Sequence, residues 1–124
     1  MDFQALIDGM SAQMMRERAE SQMTLGALIE RLESLPESTL IGLAEPHSYR
    51  GYYSDLAFEQ AGTRPVADLL AECREAMGKK FEGYKGGDFY MHAGTPVWVA
   101  FYGCCGDKLM LVNDDGSLGT QADD

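Results

Sequence analysis

The chain has 124 residues, of which 45 % are hydrophobic, 10 % aromatic and 24 % charged, and its formal net charge at pH 7 is −10. This length suits one domain that buries roughly two-thirds of its unfolded surface, which needs neither a disulfide framework nor a structural metal. The strong acidity provides no general positive field, which predicts a protein that binds neither DNA nor RNA and does not attach to membranes.

Cysteine usage and hydropathy predict the compartment. Three cysteines, with Cys104 and Cys105 adjacent, do not form the pattern of a small secreted disulfide protein. The chain opens with no signal-peptide pattern, and no apolar stretch approaches the roughly 20 residues that span a bilayer. We therefore expect reduced thiols and a cytosolic protein.

Apolar residues at helical spacing predict three helices. The first lies in residues 1–22 and has a methionine-rich stripe, which packs in the core or, alternatively, forms a self-association face. Thr24 can cap a second helix, which ends before Pro36. Pro65 marks the start of a third helix and Gly78 its end. The apolar stripes are Leu25, Leu28, Ile29 and Leu32 in the second helix and Val66, Leu69, Leu70, Cys73 and Met77 in the third.

Strand-like patterns occupy much of the remaining chain. The predicted strands are residues 39–43, 51–58, 88–91, 96–102 and 108–112. Residues 45–50 are predicted as a loop, and residues 113–124 as an acidic flexible tail. The strand around Trp98 is apolar on both faces, which predicts a central position in the sheet. Residues 1–112 are thus predicted to form one α+β domain, with about three helices on one side of a mostly antiparallel sheet of about five strands.

Two short segments combine tyrosines, a cation and glycine, and the first is residues 48–53 (SYRGYY). Arg50 can pair bidentately with phosphate or carboxylate, and Tyr49, Tyr52 or Tyr53 can stack on a ring. Strand alternation keeps Tyr52 and Tyr53 out of one shared pocket. The alternative is structural, with one tyrosine in the core and the arginine bridged to a nearby carboxylate.

The second segment is residues 83–87 (GYKGG), whose composition is that of a phosphate-binding loop. Backbone N–H groups of Gly86 and Gly87 can converge on an anion, while Lys85 adds charge and Tyr84 a ring. The segment matches neither the P-loop nor the dinucleotide fingerprint. The alternative is a glycine-rich turn or bulge that contacts no ligand.

The sequence contains no complete catalytic motif. A triad of His47, Ser48 and Asp55 is disfavoured because consecutive residues rarely aim at each other. The cysteines and histidines lack zinc-ligand spacing, so no metal or other cofactor is predicted. Candidates for a general base are His47, Asp55, Asp88 and His92. Binding is therefore favoured over catalysis.

Four segments stand in a distinctive order along the chain: residues 24–29 (TLGALI), 48–53 (SYRGYY), 83–87 (GYKGG) and 95–100 (TPVWVA). Together they resemble a group of small proteins encoded in bacteriophage genomes and prophages. The resemblance runs from about Met23 to Val112. It implies a context, since small phage proteins often counter host defence, and some sequester the nucleotide-derived signals of immune systems such as Thoeris or CBASS.

On this resemblance, the protein is expected to bind an ADP-ribose-type or cyclic-nucleotide signal in the host cytoplasm and to act as a homo-oligomer. The cations would bind phosphates and the tyrosines would stack on a ring. The predicted ligand-binding residues are Tyr49, Arg50, Tyr53, Tyr84, Lys85, Gly86 and Gly87. Two alternatives are an acidic inhibitor of a host defence protein, which the net charge of −10 favours, and an enzyme that cleaves the same signal.

Overall fold

The structure is a computed structural model and describes residues 21–49, 52–82, 88–102 and 105–122. These ranges contain two helices, α1 (Leu25–Glu33) and α2 (Val66–Ala76). The strands are β1 (Leu40–Tyr49), β2 (Tyr52–Pro65), β3 (Lys80–Glu82), β4 (Asp88–Tyr90), β5 (Val97–Tyr102), β6 (Cys105–Val112) and β7 (Leu118–Ala122). Five strands form one sheet in the order β1-β2-β5-β6-β7, and β3 pairs with β4 in a separate two-stranded sheet.

The fold class is α+β, as predicted, but the predicted number of strands is wrong. The described ranges hold seven strands, against about five predicted, and two of the three predicted helices. The main sheet is mixed, because β2 and β5 run parallel whereas its other neighbouring strands run antiparallel. A strand as short as β3 carries too little alternation to be detected from sequence. The helix predicted in residues 1–22, with its self-association face, lies almost entirely outside the described residues.

Helix α1 begins where its sequence predicts. Thr24 is the N-cap, and its Oγ1 accepts a hydrogen bond from the Ala27 backbone N–H at 3.2 Å. The predicted stripe is confirmed, with Leu25, Leu28 and Leu32 buried and Ile29 partly buried against them. The Leu25 N–H donates to Thr95 O at 2.7 Å, which fixes the first turn of the helix to the loop before β5.

Helix α2 follows Pro65, as predicted, and packs in the same core as α1. The Val66 N–H, the first of the helix, has no partner within the helix and donates to Thr39 O at 2.7 Å. Val66, Leu69 and Cys73 of the predicted stripe are buried and Leu70 is partly buried, whereas Met77 is exposed just beyond the helix. Gly78 has a φ of +78°, a left-handed conformation that glycine adopts readily, and confirms the predicted stop.

Strand β1 is longer than its sequence predicts. The loop predicted at residues 45–50 is wrong for 45–49, because β1 continues to Tyr49 and pairs antiparallel with β2. Pro46 is tolerated because β1 is an edge strand, where one side of the backbone needs no partner. A register shift between Leu43 and Pro46 accommodates the extra residue of β1 as a bulge.

The β1–β2 pair has two further register shifts, one between Ile41 and Leu43 and a larger one near its far end, between Ser48 and Tyr49. Ser48 pairs with Leu56 and its neighbour Tyr49 pairs with Tyr52, so residues 53–55 of β2 have no opposite residues on β1. Side-chain alternation depends on a continuous ladder. The placement of Tyr52 and Tyr53 in separate pockets therefore stays a prediction, because the ladder on which it depends is interrupted here.

Residues 118–122, which the sequence assigns to the acidic tail, form β7 and pair antiparallel with β6. The connecting turn contains Gly116 at a φ of +87°, and a Cβ there would lie 1.9 Å from a backbone oxygen at the start of β1. Arg31 of α1 holds the turn through hydrogen bonds to Val112 O at 2.8 Å and Asp114 Oδ1 at 2.6 Å. Composition alone predicts a tail because β7 is short and polar, and its order comes from pairing with β6.

The two faces of the main sheet have different cores. Both helices cover one face, where they pack on Leu56, Phe58, Val97, Val99 and Leu109. On the opposite face, which we call the far face, Ala57, Trp98 and Ala100 form a second buried cluster. Strand β5 lies in the middle of the sheet and is buried on both faces, which confirms the prediction of a central strand.

Arg64 of β2 ties the bulge between Leu43 and Pro46 to helix α2. Its Nε donates to the Leu43 carbonyl oxygen at 2.8 Å, and its two terminal nitrogens donate to the Glu72 carboxylate at 2.5 and 2.7 Å. The Arg64 and Glu72 side chains are 24 % and 29 % exposed, so water screens the pair only in part. These hydrogen bonds from the guanidinium hold the pKa of the Glu72 carboxyl below its ordinary value.

Glu72→Gln is expected to lower the free energy of unfolding at pH 7 by about 1–2 kcal/mol, because it removes the charge from a bidentate pair. The pKa of Glu72 is lower in the folded than in the unfolded chain, so its stabilisation is present above the unfolded value of about 4.3 and is lost as pH falls through the folded value. Urea unfolding at pH 7 and at acid pH measures the effect.

The difference between parent and variant should therefore shrink at acid pH. Glu75→Gln, which changes an exposed carboxylate on the same helix, is the matched control and should have little effect at either pH. An equal loss of stability in both variants would contradict a specific role for the Arg64–Glu72 pair.

Candidate functional site

Two of the seven predicted ligand-binding residues lie in described strands. Tyr49 lies at the end of β1 and pairs with Tyr52 of β2. Tyr53 is the next residue of β2. Arg50 and residues 84–87 lie outside the described residues. The roles assigned to Arg50, Tyr84, Lys85, Gly86 and Gly87, and to the side chains of the two strand tyrosines, therefore stay predictions.

The fold brings the two strand pairs into contact. Strand β3 lies against β1, and β4 lies against β2. Pro46 of β1 and Phe81 of β3 line one cavity of about 180 Å³, which the C-terminal half of α2 closes on a third side. The pair that contains Tyr49 and Tyr53 is thus next to the strands that flank residues 83–87, although the two segments are distant in the sequence.

That cavity is chemically mixed. Lys79 Nζ lies 5.5 Å from the centroid of the Phe81 ring, a distance at which a cation and an aromatic face attract. Glu72 and Glu75 of α2 contribute carboxylates to the lining. Because these carboxylates repel a phosphate, the cavity does not by itself provide an anion site.

Four side chains with polar groups gather around Ala57 on the far face. Ala57 pairs with His47 across the antiparallel β1–β2 ladder and with Trp98 across the parallel β2–β5 ladder. Glu59, two positions further along β2, shares the face of Ala57, and Asp55 reaches that face through its contact with Trp98. We call His47, Asp55, Glu59 and Trp98 the far-face cluster.

The far-face cluster contains two hydrogen bonds in different environments. His47 Nε2 and Glu59 Oε1 are 2.8 Å apart, and their side chains are 34 % and 42 % exposed. Trp98 Nε1 donates to Asp55 Oδ2 at 2.8 Å, and both residues are fully buried. The cluster thus combines a histidine–carboxylate pair that solvent can reach with a carboxylate that it cannot.

His47 and Asp55 are candidate acid–base groups on sequence grounds, whereas their hydrogen-bond partners are visible only in the structure. His47 bonds to Glu59, 12 residues away, and Asp55 to Trp98, 43 residues away. Only the strand register shows these pairs, because nothing local in the sequence sets which residues stand opposite each other.

The other two acid–base candidates lie apart from this cluster. Asp88 Oδ1 lies 3.9 Å from Lys80 Nζ across the β3–β4 pair. His92 Nδ1 accepts the Gly94 N–H at 3.1 Å within a turn. The four candidates therefore do not form one site.

Among the residues that the structure describes, no group of three or more His, Cys, Asp or Glu side chains could hold a metal ion. Neither α1 nor α2 is long and apolar enough to cross a bilayer.

Comparison with protein-family models, with curated proteins and with solved structures found no match to the chain. The resemblance to phage proteins therefore stays a prediction.

Cys73 of α2 is a buried thiol and is expected to be unreactive in the folded protein. Burial raises its pKa to about 12, so almost none of it is thiolate near neutral pH. With Cys104→Ser and Cys105→Ser in place, Cys73 is the only thiol of the chain. We expect this variant to react with a disulfide reagent at pH 8 at least about 100-fold more slowly than its urea-unfolded form. Equal rates would show that α2 does not pack as described.

Proposed function

We propose that the protein binds and sequesters a nucleotide-derived signalling molecule of the ADP-ribose or cyclic-nucleotide type, as a phage protein that counters a host immune system. The observation that supports this most is the contact between the β1–β2 and β3–β4 pairs. It puts the strands that flank both tyrosine-and-cation segments side by side. A ligand with rings and phosphates needs such groups from more than one segment.

The proposed chemistry divides between the two segments. Arg50 pairs with a phosphate through two N–H groups, and Lys85 adds a second positive charge. Tyr49, Tyr53 or Tyr84 stacks on the base, and the glycine backbone approaches the phosphates closely. The ligand is bound and released without chemical change, so the protein acts by binding alone.

A second candidate function is cleavage of the same molecule, and the His47–Glu59 contact favours it. A carboxylate hydrogen-bonded to a histidine orients the imidazole ring, and an oriented imidazole is suited to general acid–base chemistry. His47 lies two positions before Tyr49 on β1, and thus near the proposed binding segment. Binding and cleavage would use the same region of the molecule.

One experiment separates sequestration from cleavage. The protein is incubated with a panel of cyclic dinucleotides, cyclic trinucleotides and ADP-ribose derivatives, filtered, and heat-denatured to release what it holds. Sequestration predicts that a ligand disappears from solution and returns intact, whereas cleavage predicts altered products that His47→Gln abolishes. No uptake of any member would contradict both and would favour a protein partner for this acidic chain.

Arg50→Ala and Lys85→Ala are each expected to weaken ligand binding by at least about 10-fold, because each removes a charged hydrogen-bond donor to phosphate. Isothermal titration with the ligand identified by uptake measures the effect, and thermal unfolding checks that the variants fold. Arg74→Ala is the matched control, since it removes an arginine that is 57 % exposed and paired with Glu33 on the helix side. Normal binding by both site variants would show that the site lies elsewhere.

A further inference from the structure

We propose that Asp55 and Trp98 are positioning residues, whose hydrogen bond holds the bulge at residues 53–55 and thereby sets the ligand-binding end of the β1–β2 pair. The binding part of this inference rests on the proposed function. Its structural part, that the Asp55–Trp98 hydrogen bond stabilises the bulge, stands on the strand register and on the geometry of that bond.

The bulge interrupts the ladder immediately before the segment that pairs with the central strand. Residues 53–55 have no opposite residues on β1, and regular pairing starts at Leu56, which stands opposite Ser48 on one side and Val97 on the other. The Leu56 N–H donates to Pro96 O at 3.0 Å. Asp55 is therefore the last residue of the bulge, and its side chain bonds to the strand beyond.

Trp98 is a suitable anchor because it lies on the central strand. Strand β5 pairs with β2 on one side and with β6 on the other. Trp98 is fully buried between Ala57 of β2 and Lys108 of β6 in the strand register. A hydrogen bond to its indole N–H ties the bulge to the part of the sheet that has neighbours on both sides.

A fully buried carboxylate is costly, which makes its presence informative. Asp55 is 0 % exposed, and taking an ionised carboxylate out of water is unfavourable unless hydrogen bonds compensate it. An apolar residue would fill a buried position of a sheet at lower cost. Bulges commonly redirect side chains next to functional sites, and the one that Asp55 ends follows directly on Tyr52, the pairing partner of Tyr49.

The chain contains one tryptophan, which allows an unusually specific test. Growth of a tryptophan auxotroph on 3-benzothienylalanine replaces Trp98 alone with a residue of the same shape that has sulfur in place of the indole N–H. We expect faster amide exchange at residues 52–56, unchanged exchange in α1 and α2, and a dissociation constant for the nucleotide ligand at least about 10-fold higher.

Two sets of variants control for a merely structural effect. Val99→Ala opens a cavity on the same strand but on the helix side, and it should lower stability without changing affinity. Asp55→Ala should reproduce the loss of affinity, whereas Asp55→Asn, which keeps an acceptor oxygen, should stay within about 3-fold of the parent. Equal losses in Asp55→Asn and Asp55→Ala would overturn the hydrogen-bond account.

The outcomes distinguish this inference from the proposed function. If the parent protein binds a member of the panel and the benzothienyl protein binds it equally well, Asp55 and Trp98 are not positioning residues. If the parent binds no member, the proposed function fails, and amide exchange then decides the remaining claim. Unchanged exchange at residues 52–56 would overturn that claim as well, and faster exchange confined to them would support it.

Discussion

The parallel pairing of β2 with β5 is the constraint on which the rest of the fold depends. Adjacent parallel strands cannot be joined by a tight turn, so the chain must leave the end of β2 and cross back before it can pair again. Here the crossover contains α2, β3 and β4, after which residues 97–100 pair with residues 56–59. Because β5 pairs with β2 on the side away from β1, β1 lies at one edge of the sheet. Strands β6 and β7 add to β5 and form the other edge.

The same crossover gives the proposed function its geometry. It returns β3 and β4 to the side of β1 and β2, so that a ligand held there would touch segments that are far apart in the sequence. The net charge of −10 opposes a phosphate-bearing ligand at long range. Such repulsion is screened beyond about 8 Å at physiological salt, whereas contacts with an arginine and a lysine act at hydrogen-bond distance. A local pair of cations can therefore hold an anion on an acidic protein.

Two of the three register shifts of the β1–β2 pair have a common feature. A bulge removes ladder hydrogen bonds, and in each case a charged side chain of β2 bonds at or beside the gap. Arg64 donates to the Leu43 carbonyl at the bulge of β1 and is neutralised by Glu72, while Asp55 at the bulge of β2 accepts from Trp98. Tyr49 and Tyr53 lie on the two strands whose irregular pairing these contacts stabilise. The packing of the sheet is thereby linked to the proposed site.

The sequence by itself determined the features that depend on near neighbours. These are the Thr24 cap, the Gly78 stop, the apolar stripes of both helices and the central strand at Trp98, because caps and stripes involve residues within a turn or two. Only the tertiary structure decided the rest. The course of β1 through Pro46, the polar strand β7, the His47–Glu59 pair and the Asp55–Trp98 pair all depend on strand register, which is set by contacts between distant residues. The same holds for the candidate site. Its tyrosines and cations are apparent from composition, whereas the contact between the two strand pairs that flank them is apparent only from the fold.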